Sequence, residues 1–323
     1  MDARELVLVT GGAGFIGSHV VERFVEAGYP VRVLDNLSSG VLKNLDAVRE
    51  RIEFIEGDIR DAAMVRRAMT GVTYVTHQAS LRSVPKSVEM PEEFHDVNVN
   101  GTLCLLSAAR EQAIQRFVFA SSSSIYGDTN QFPQRESQTC CPISPYALTK
   151  LIGEQYCRFY SQVYGVPTVA LRYFNVYGPR QPLEDRYSAV IPKFLAEAMA
   201  NRALPIYGDG TQSRDFTYVA NVAEANLRAC LAPPSVCGEV YNVALGETHS
   251  ILELARAVIS LLDSQSTLQF SPRRVADVSR THADVARIRE CMQFCGAIGF
   301  DEGLRRTIEY QRHSVGTSSG SIG

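Results

Sequence analysis

Tyr146 and Lys150 stand four residues apart in Ser144-Pro145-Tyr146-Ala147-Leu148-Thr149-Lys150, and on a helix that spacing puts both on one face. A phenol titrates at about 10, too high for a base at neutral pH, but a neighbouring ammonium favours the phenolate. The pair alone is a common surface arrangement. It acquires chemical meaning beside Ser121-Ser122-Ser123-Ser124-Ile125-Tyr126-Gly127, which opens from the apolar run Phe117-Val118-Phe119-Ala120. Ligands of parallel sheets bind at the carboxyl ends of strands, so a serine there can hydrogen-bond a hydroxyl as it becomes a carbonyl. A third group is Gly11-Gly12-Ala13-Gly14-Phe15-Ile16-Gly17, directly after Leu6-Val7-Leu8-Val9-Thr10. Glycines there permit a tight turn and close backbone approach to a pyrophosphate, which the start of the next helix stabilises with free N–H groups and its dipole. Asp35 ends the next apolar run and suits both ribose hydroxyls of a dinucleotide. Asn36, Leu37 and Ser38 beyond it offer no cation for a 2′-phosphate, so NAD is favoured over NADP. Asp58, in Glu56-Gly57-Asp58-Ile59, lies on the same edge and suits the adenine amino group. The positive ring of a bound nicotinamide would lower the Tyr146 pKa further.

These groups need a scaffold, and the chain supplies one. Short apolar runs at 6–9, 31–34, 52–55, 72–75, 117–120 and 168–171 alternate with helical patterns such as 15–27, closed by Gly28. That alternation implies βαβ units and a doubly wound parallel α/β sheet of Rossmann type. Ser144 reads as an N-cap with Pro145 in the first turn, and the helix that follows ends at Gly165. Beyond Tyr173 the pattern turns irregular. Short helices near 190–200, 222–231, 251–262 and 303–312 alternate with strands near 204–207, 240–243 and 267–270. The expected division is a cofactor domain of residues 1–173, to which 215–244 return. Residues 174–214 and 245–313 form a smaller α/β substrate-binding lobe, and 314–323, rich in Ser and Gly, a loose tail.

Composition narrows the classes. With 323 residues, 45% hydrophobic content and a net charge of −3, nothing favours nucleic acid or an anionic membrane as partner. No apolar run is long enough to cross a bilayer, and Met1-Asp2-Ala3-Arg4-Glu5 is no signal peptide. The eight cysteines include no Cys-x-x-Cys pair, so the expectation is a reducing, cytoplasmic setting with neither disulfides nor zinc. Cys140-Cys141 falls in a loop. His77 ends a strand without a second ligand at metal spacing and reads as structural.

At this point the chain resembles the extended short-chain dehydrogenases/reductases, and within them the nucleotide-sugar 4-epimerases. The resemblance runs from Leu6 to about Gln311. It rests on residues 10–17, His77-Gln78-Ala79-Ser80, Asn98-Val99-Asn100-Gly101-Thr102, 120–127, 144–150, 171–181 and 208–216. It implies a catalytic trio: Ser122 on the reacting hydroxyl, Tyr146 as general base, and Lys150 as its partner on the nicotinamide ribose. Implied NAD contacts begin with Gly11, Gly14, Phe15, Ile16 and Gly17, with Asp35, Asn36, Gly40, Asp58 and Ile59 toward the adenosine. Gln78, Ala79, Ser80, Asn98 and Tyr173, with Tyr146 and Lys150, complete them. Toward a UDP-sugar the resemblance implies Ser83, Ser122, Ser123, Ser124 and Tyr146 at the hexose. Asn175 and Arg214 would hold the diphosphate, Arg274 and Asp277 contact phosphate and uridine ribose, and Val190 and Tyr207 also contact the substrate.

The family's dehydratases and decarboxylases carry an acid just after the catalytic Ser/Thr, where this chain has Ser123, Ser124 and Ile125. That implies a plain epimerase, with oxidation at C4, turnover of the bound 4-keto sugar, reduction on the other face, and NAD held without exchange. The family's gatekeeper at the hexose pocket falls on Thr281. Its small size implies entry of N-acetylated sugars, as does Ser83. Arg82, often glycine in those relatives, departs from the pattern; it could pair with the cofactor diphosphate or with a C6 carboxylate, which leaves a uronic-acid sugar open. A dehydratase and a catalytically silent NAD-binding sensor are the rival readings. Helices near 89–112 and 144–164 are those that relatives pack into a homodimer.

Overall fold

In this computed structural model the described residues are 5–183, 189–273 and 278–318, the last five by backbone only. The chain begins β1 (Leu6–Thr10), α1 (Phe15–Glu26), β2 (Val31–Asp35), β3 (Ile52–Glu56), α2 (Ala62–Met69) and β4 (Val72–His77). Next come α3 (Val84–Glu89), α4 (Pro91–His95), α5 (Gly101–Glu111), β5 (Arg116–Ser122), α6 (Pro145–Tyr164) and β6 (Thr168–Tyr173). Then follow β7 (Val176–Tyr177), α7 (Val190–Met199), β8 (Leu204–Tyr207), β9 (Ser213–Arg214), β10 (Thr217–Tyr218) and α8 (Val219–Leu231). The last elements are β11 (Glu239–Val243), β12 (His249–Ser250), α9 (Ile251–Leu262), β13 (Leu268–Ser271), α10 (Ala286–Met292) and α11 (Phe300–Ser318).

Seven strands form one parallel sheet in the order β11-β6-β5-β4-β1-β2-β3. Successive side chains of a strand point to opposite faces, so β1 feeds two cores. Val7 and Val9 pack with Val20, Val21 and Phe24 of α1, whereas Leu8 packs with Leu105 and Leu106 of α5. The strand order reverses direction at β1, with β2 on one side and β4 on the other. The crevice beyond the carboxyl ends of β1 and β4 is where such sheets bind ligands.

Residues 217–243 rejoin this sheet, since α8 packs on α1 and β11 extends it beside β6, with Val240 opposite Ala170. A separate core gathers Phe194, Leu195, Leu204, Leu254, Val258, Phe300 and Leu304 from α7, β8, α9 and α11. Two small ladders, β8–β13 parallel and β9–β12 antiparallel, lie in this second part.

The helix expected near 89–112 is interrupted. Pro91 lacks an N–H and disfavours helical backbone before it, and Met90 accordingly takes φ −133°, ψ 55°. Five residues of π-helix, Asp96–Asn100, then widen the turn before α5. By contrast α6 starts and stops as its caps dictate. Ser144 accepts from the Ala147 N–H at 3.2 Å, and Gly165 ends the helix in left-handed conformation, φ 70°. The last helix runs on to Ser318. No helix among the described residues is long and apolar enough to cross a membrane.

Candidate functional site

The turn after β1 is held by the Gly11 N–H, which donates to the Leu34 carbonyl at 2.8 Å. Gly11 has φ +70°, and a Cβ there would stand 2.6 Å from the Ala79 backbone nitrogen, so only glycine fits. Gly14 differs. A Cβ on it would meet only the Gly11 carbonyl oxygen, at 3.2 Å, and would otherwise fill the cleft. The cleft is lined by Gly11, Gly14, Phe15, Ile16 and Gly17 on one wall, with Asp35, Asn36, Asp58 and Ile59 at one end. Gln78, Ala79, Ser80, Tyr146, Lys150 and Tyr173 line the other end. Fifteen of the expected cofactor contacts therefore share one cavity.

At the β2 end the buried Asp35 carboxylate accepts the Ala13 N–H at 2.9 Å and the Leu37 N–H at 2.8 Å, one on each oxygen. Burial raises its pKa while these two bonds oppose the shift. Each oxygen keeps a lone pair for a ribose hydroxyl. Gly40 lies outside the cleft, where a Cβ would meet Ala13 at 2.8 Å. Asp58 accepts from Asn36 at 2.9 Å and from the Arg60 guanidinium at 2.8 and 2.9 Å, and these bonds hold its carboxyl well below the usual carboxylate range. Arg60 also reaches Asp96, at 2.8 Å. This cation in the cleft was invisible in the run 36–38, because β3 delivers it from a different strand.

At the other end, Ser122 Oγ accepts from the Ser124 N–H at 3.2 Å and from the Ser124 hydroxyl at 2.9 Å. Its own proton is thereby left for Tyr146, to which it hydrogen-bonds. Burial pushes the Tyr146 pKa up, and Ser122 and the Arg82 guanidinium pull it down. Lys150 follows Tyr146 by one turn of α6 and lines the same cleft. Its ammonium donates to the Ala120 carbonyl at 2.9 Å and stands 6.0 Å from the Tyr146 ring centre, and the cation acting on the hydroxyl is Arg82. Burial lowers Lys150 to about 7.

A polar lattice supports this end. Tyr173 donates to Gln78 Oε1 at 3.1 Å and accepts from Asn226 Nδ2 at 2.8 Å, and Asn226 Oδ1 accepts from Thr76 and Gln78 at 2.9 Å each. Beneath Ser122, Ser121 donates to Glu154, which is buried in a two-point ion pair with Arg172 at 2.8 and 2.9 Å. Sequence patterns gave no signal for Asn226, Glu154 or Arg172, since each is polar on an otherwise apolar buried face. His77 bonds Thr10 through Nδ1 at 2.8 Å and Thr102 through Nε2 at 2.9 Å. The Thr102 proton goes to the Asn98 carbonyl at 2.6 Å, so Nε2 carries the histidine proton and both ring nitrogens are engaged. No group of three metal-binding side chains exists among the described residues.

Two expected contacts have other partners. The buried Asn98 amide clamps the Leu81 N–H and carbonyl at 2.8 and 3.0 Å and reaches Thr149 at 3.0 Å, outside the cleft lining. Ser83, at φ 112°, caps α3 by accepting the Lys86 N–H at 3.3 Å. Asn175 and Thr281 do meet: Asn175 Nδ2 donates to Thr281 Oγ1 at 2.8 Å, and the Asp215 N–H donates to the same oxygen at 3.2 Å. Val190 opens α7, and Tyr207 ends β8 with the Lys193 ammonium 5.6 Å from its ring centre. Arg214 lies on β9, next to a second cavity lined by Gly208, Gln212, Ser213, Arg273 and Arg280. Arg274 and Asp277 lie outside the described residues.

Known proteins with this arrangement are numerous. The NAD dependent epimerase/dehydratase family matches residues 7–244. The chain is 35% identical over 310 residues to the UDP-glucose 4-epimerase of Mycolicibacterium smegmatis, covering 95% of this chain and 98% of that one. Among solved structures it superposes on a UDP-N-acetylglucosamine 4-epimerase from Methanobrevibacter ruminantium, in complex with UDP-N-acetylmuramic acid, with TM-score 0.89, 36% identity and 97% and 100% coverage. A Thermus thermophilus UDP-glucose 4-epimerase in complex with NAD gives TM-score 0.85, 36% identity and 98% and 100% coverage. The glycine turn, the seven-stranded order and this similarity over nearly the whole length agree, and the chain belongs to the NAD dependent epimerase/dehydratase family of extended short-chain dehydrogenases/reductases.

Proposed function

We propose that the protein is a UDP-hexose 4-epimerase that works with tightly held NAD and accepts N-acetylated as well as plain hexoses. One observation carries the reading: Tyr146 and Ser122 share a hydrogen bond at the carboxyl end of β5, and the positions after Ser122 hold no carboxylate. A dehydration or decarboxylation would need a second acid or base there; epimerisation does not. The open face of Gly14 and the paired acceptors of Asp35 suit NAD, and Arg60, the cation at that end among the described residues, is held by Asp58 and Asp96. When bound, NAD takes up the C4 hydride and returns it.

The protein's own groups do the rest. Tyr146 accepts the C4 hydroxyl proton as that carbon is oxidised and gives it back on reduction. Ser122 bonds the same oxygen in both states. Lys150, whose ammonium is held on the Ala120 carbonyl, would bond the nicotinamide ribose. Asn175 and Arg214 hold the diphosphate, leaving the hexose free to turn over. Thr281, small and bonded to Asn175, leaves room for an acetamido group. A catalytically silent sensor is disfavoured because it would have no chemical use for Ser122, Tyr146 and Lys150 together.

A second reading has its own observation. Arg82 is an exposed guanidinium in the cleft that acts on the Tyr146 hydroxyl, and such a cation suits the C6 carboxylate of a UDP-uronate. Incubating the protein with UDP-glucose, UDP-GlcNAc, UDP-glucuronate and its N-acetylated analogue, with products read by NMR, tests both. Epimerisation of the neutral sugars supports the first reading, turnover of uronates alone the second, and no turnover of any sugar overturns both.

A further inference from the structure

The glycine turn offers a diphosphate only neutral N–H donors and a helix dipole, and among the described residues four cations, in different surroundings, line the cleft. Arg60 is committed to Asp58 and Asp96, Lys150 to the Ala120 carbonyl, and Arg82 sits exposed beside Tyr146. Arg180 is the fourth, and it lines the cleft together with Gly14, Phe15, Ile16 and Gly17. It follows β7 in Tyr177-Gly178-Pro179-Arg180 and is held in left-handed conformation, φ 65°, which a side-chain-bearing residue adopts only when its surroundings enforce it.

The enforcement comes from α1, the helix that the glycine turn starts. His19 Nε2 donates to the Pro179 carbonyl at 3.0 Å, and Glu22 takes the Arg180 Nη2 in an ion pair. Burial and the neighbouring Arg180 charge lower His19 to about 4, so the histidine is neutral here and Arg180 carries the positive charge. The other terminal nitrogen, Nη1, is buried and has no hydrogen-bond partner. A cationic donor without an acceptor away from water is costly, and an anionic oxygen in front of it removes the cost.

We propose that Arg180 Nη1 is a ligand of the cofactor diphosphate, with Glu22 fixing the guanidinium through its other nitrogen. The inference rests on the NAD reading above and adds the charged donor that the glycine turn lacks. Glu22 neutralises the arginine and fixes its plane through Nη2, which leaves Nη1 without a partner among the described residues. Phe15, His19 and Glu22 lie three and four residues apart, so one face of α1 serves both the turn and the arginine.

The test compares wild type, Arg180→Gln and Glu22→Gln. The readouts are the nucleotide retained through purification and the calorimetric affinities of the nucleotide-free protein for ADP and adenosine. Arg180→Gln is expected to weaken ADP by about tenfold or more, the scale of one charge-assisted hydrogen bond, with adenosine unchanged. Glu22→Gln keeps Nη1 and is expected to hold ADP affinity within about threefold. Equal ADP affinity in wild type and Arg180→Gln would overturn the proposal. So would parallel loss of ADP and adenosine in both variants, which marks the arginine as a mere tie between β7 and α1. A wild type that binds neither ADP nor NAD would instead overturn the cofactor reading itself.

Discussion

In the proposed mechanism Tyr146 is a base only as the phenolate, so activity is expected to rise with pH through its titration. Burial moves that rise upward, and Ser122 and Arg82 move it back down. Replacing Tyr146 by Phe removes the proton acceptor together with its hydrogen bond to Ser122. We expect turnover to fall by about 10²–10⁴-fold, with UDP affinity by calorimetry and the thermal midpoint unchanged; near-wild-type turnover would rule this base out. Arg82→Leu removes the cation acting on the hydroxyl. The acid limb of the kcat/KM profile should then move to higher pH, whereas an unmoved limb would show that Arg82 leaves the phenolate alone. Thr281 has two attributes that a single substitution confounds, its size and its acceptor oxygen for Asn175 and the Asp215 N–H. Thr281→Val keeps the size and should weaken all UDP-sugars alike, by about 1–2 kcal/mol for the lost acceptor. Thr281→Tyr should add a loss confined to the N-acetylated sugars, measured as the ratio of kcat/KM values. An equal ratio in both variants would put the acetamido group elsewhere.

At the level of elements, the site depends on polar ties between strands and helices. His77, at the end of β4, joins Thr10 of β1 to Thr102 of α5 and is fully buried. Burial, with Lys150 adding to it, lowers its pKa from 6.5 to about 3. The sign follows: below 6.5 the unfolded chain takes up a proton that the folded one refuses until about 3, so stability falls with pH across that window. His19, lowered to about 4, contributes the same sign over a narrower range. The slope from each is at most about 1.4 kcal/mol per pH unit. His77→Gln should be less stable at pH 7 yet show a shallower decline between pH 6.5 and 4 in denaturant titrations; an unchanged slope would show that His77 does not set it. Helix α6 is tied in the same manner. Lys150 reaches β5, and Glu154 joins Ser121 of β5 to Arg172 of β6, so one helix carries the base and fixes the strand that presents the serines.

For the whole molecule, the outward face of α6 remains to be accounted for. Leu148, Phe159 and Val163 are exposed at spacings of eleven and four, one stripe of a helix, and Val84, Val88 and Met90 are exposed on and beside α3. Apolar stripes of this extent are characteristic of association surfaces. We expect a homodimer in which α6 packs against its copy. Phe159→Asp with Val163→Asp should give monomers by sedimentation, with turnover and nucleotide content retained. A wild type that sediments as a monomer at micromolar concentration would remove this expectation.

Periodicity and punctuation determined a good deal of this protein. The strand-to-glycine-turn-to-helix start, the alternation to Tyr173, and the Ser144 and Gly165 caps of α6 are local, each settled by a few neighbouring residues. A return of residues 215–244 to the cofactor domain was expected, and β11 within that segment pairs with β6. Tertiary structure decided what depends on residues far apart in the chain. Lys150 reaches the Ala120 carbonyl and the Arg82 charge acts on Tyr146 because a loop from β4 and a helix after β5 line one cleft. Asn98 clamps Leu81 where a cofactor contact was expected, and Arg60 and Arg180 enter the cleft from strand ends with no motif of their own. The physical reason is the same in each case. Spacing along a helix or strand fixes which face a side chain takes, whereas its hydrogen-bond partner is whichever buried donor or acceptor the other strands bring within reach.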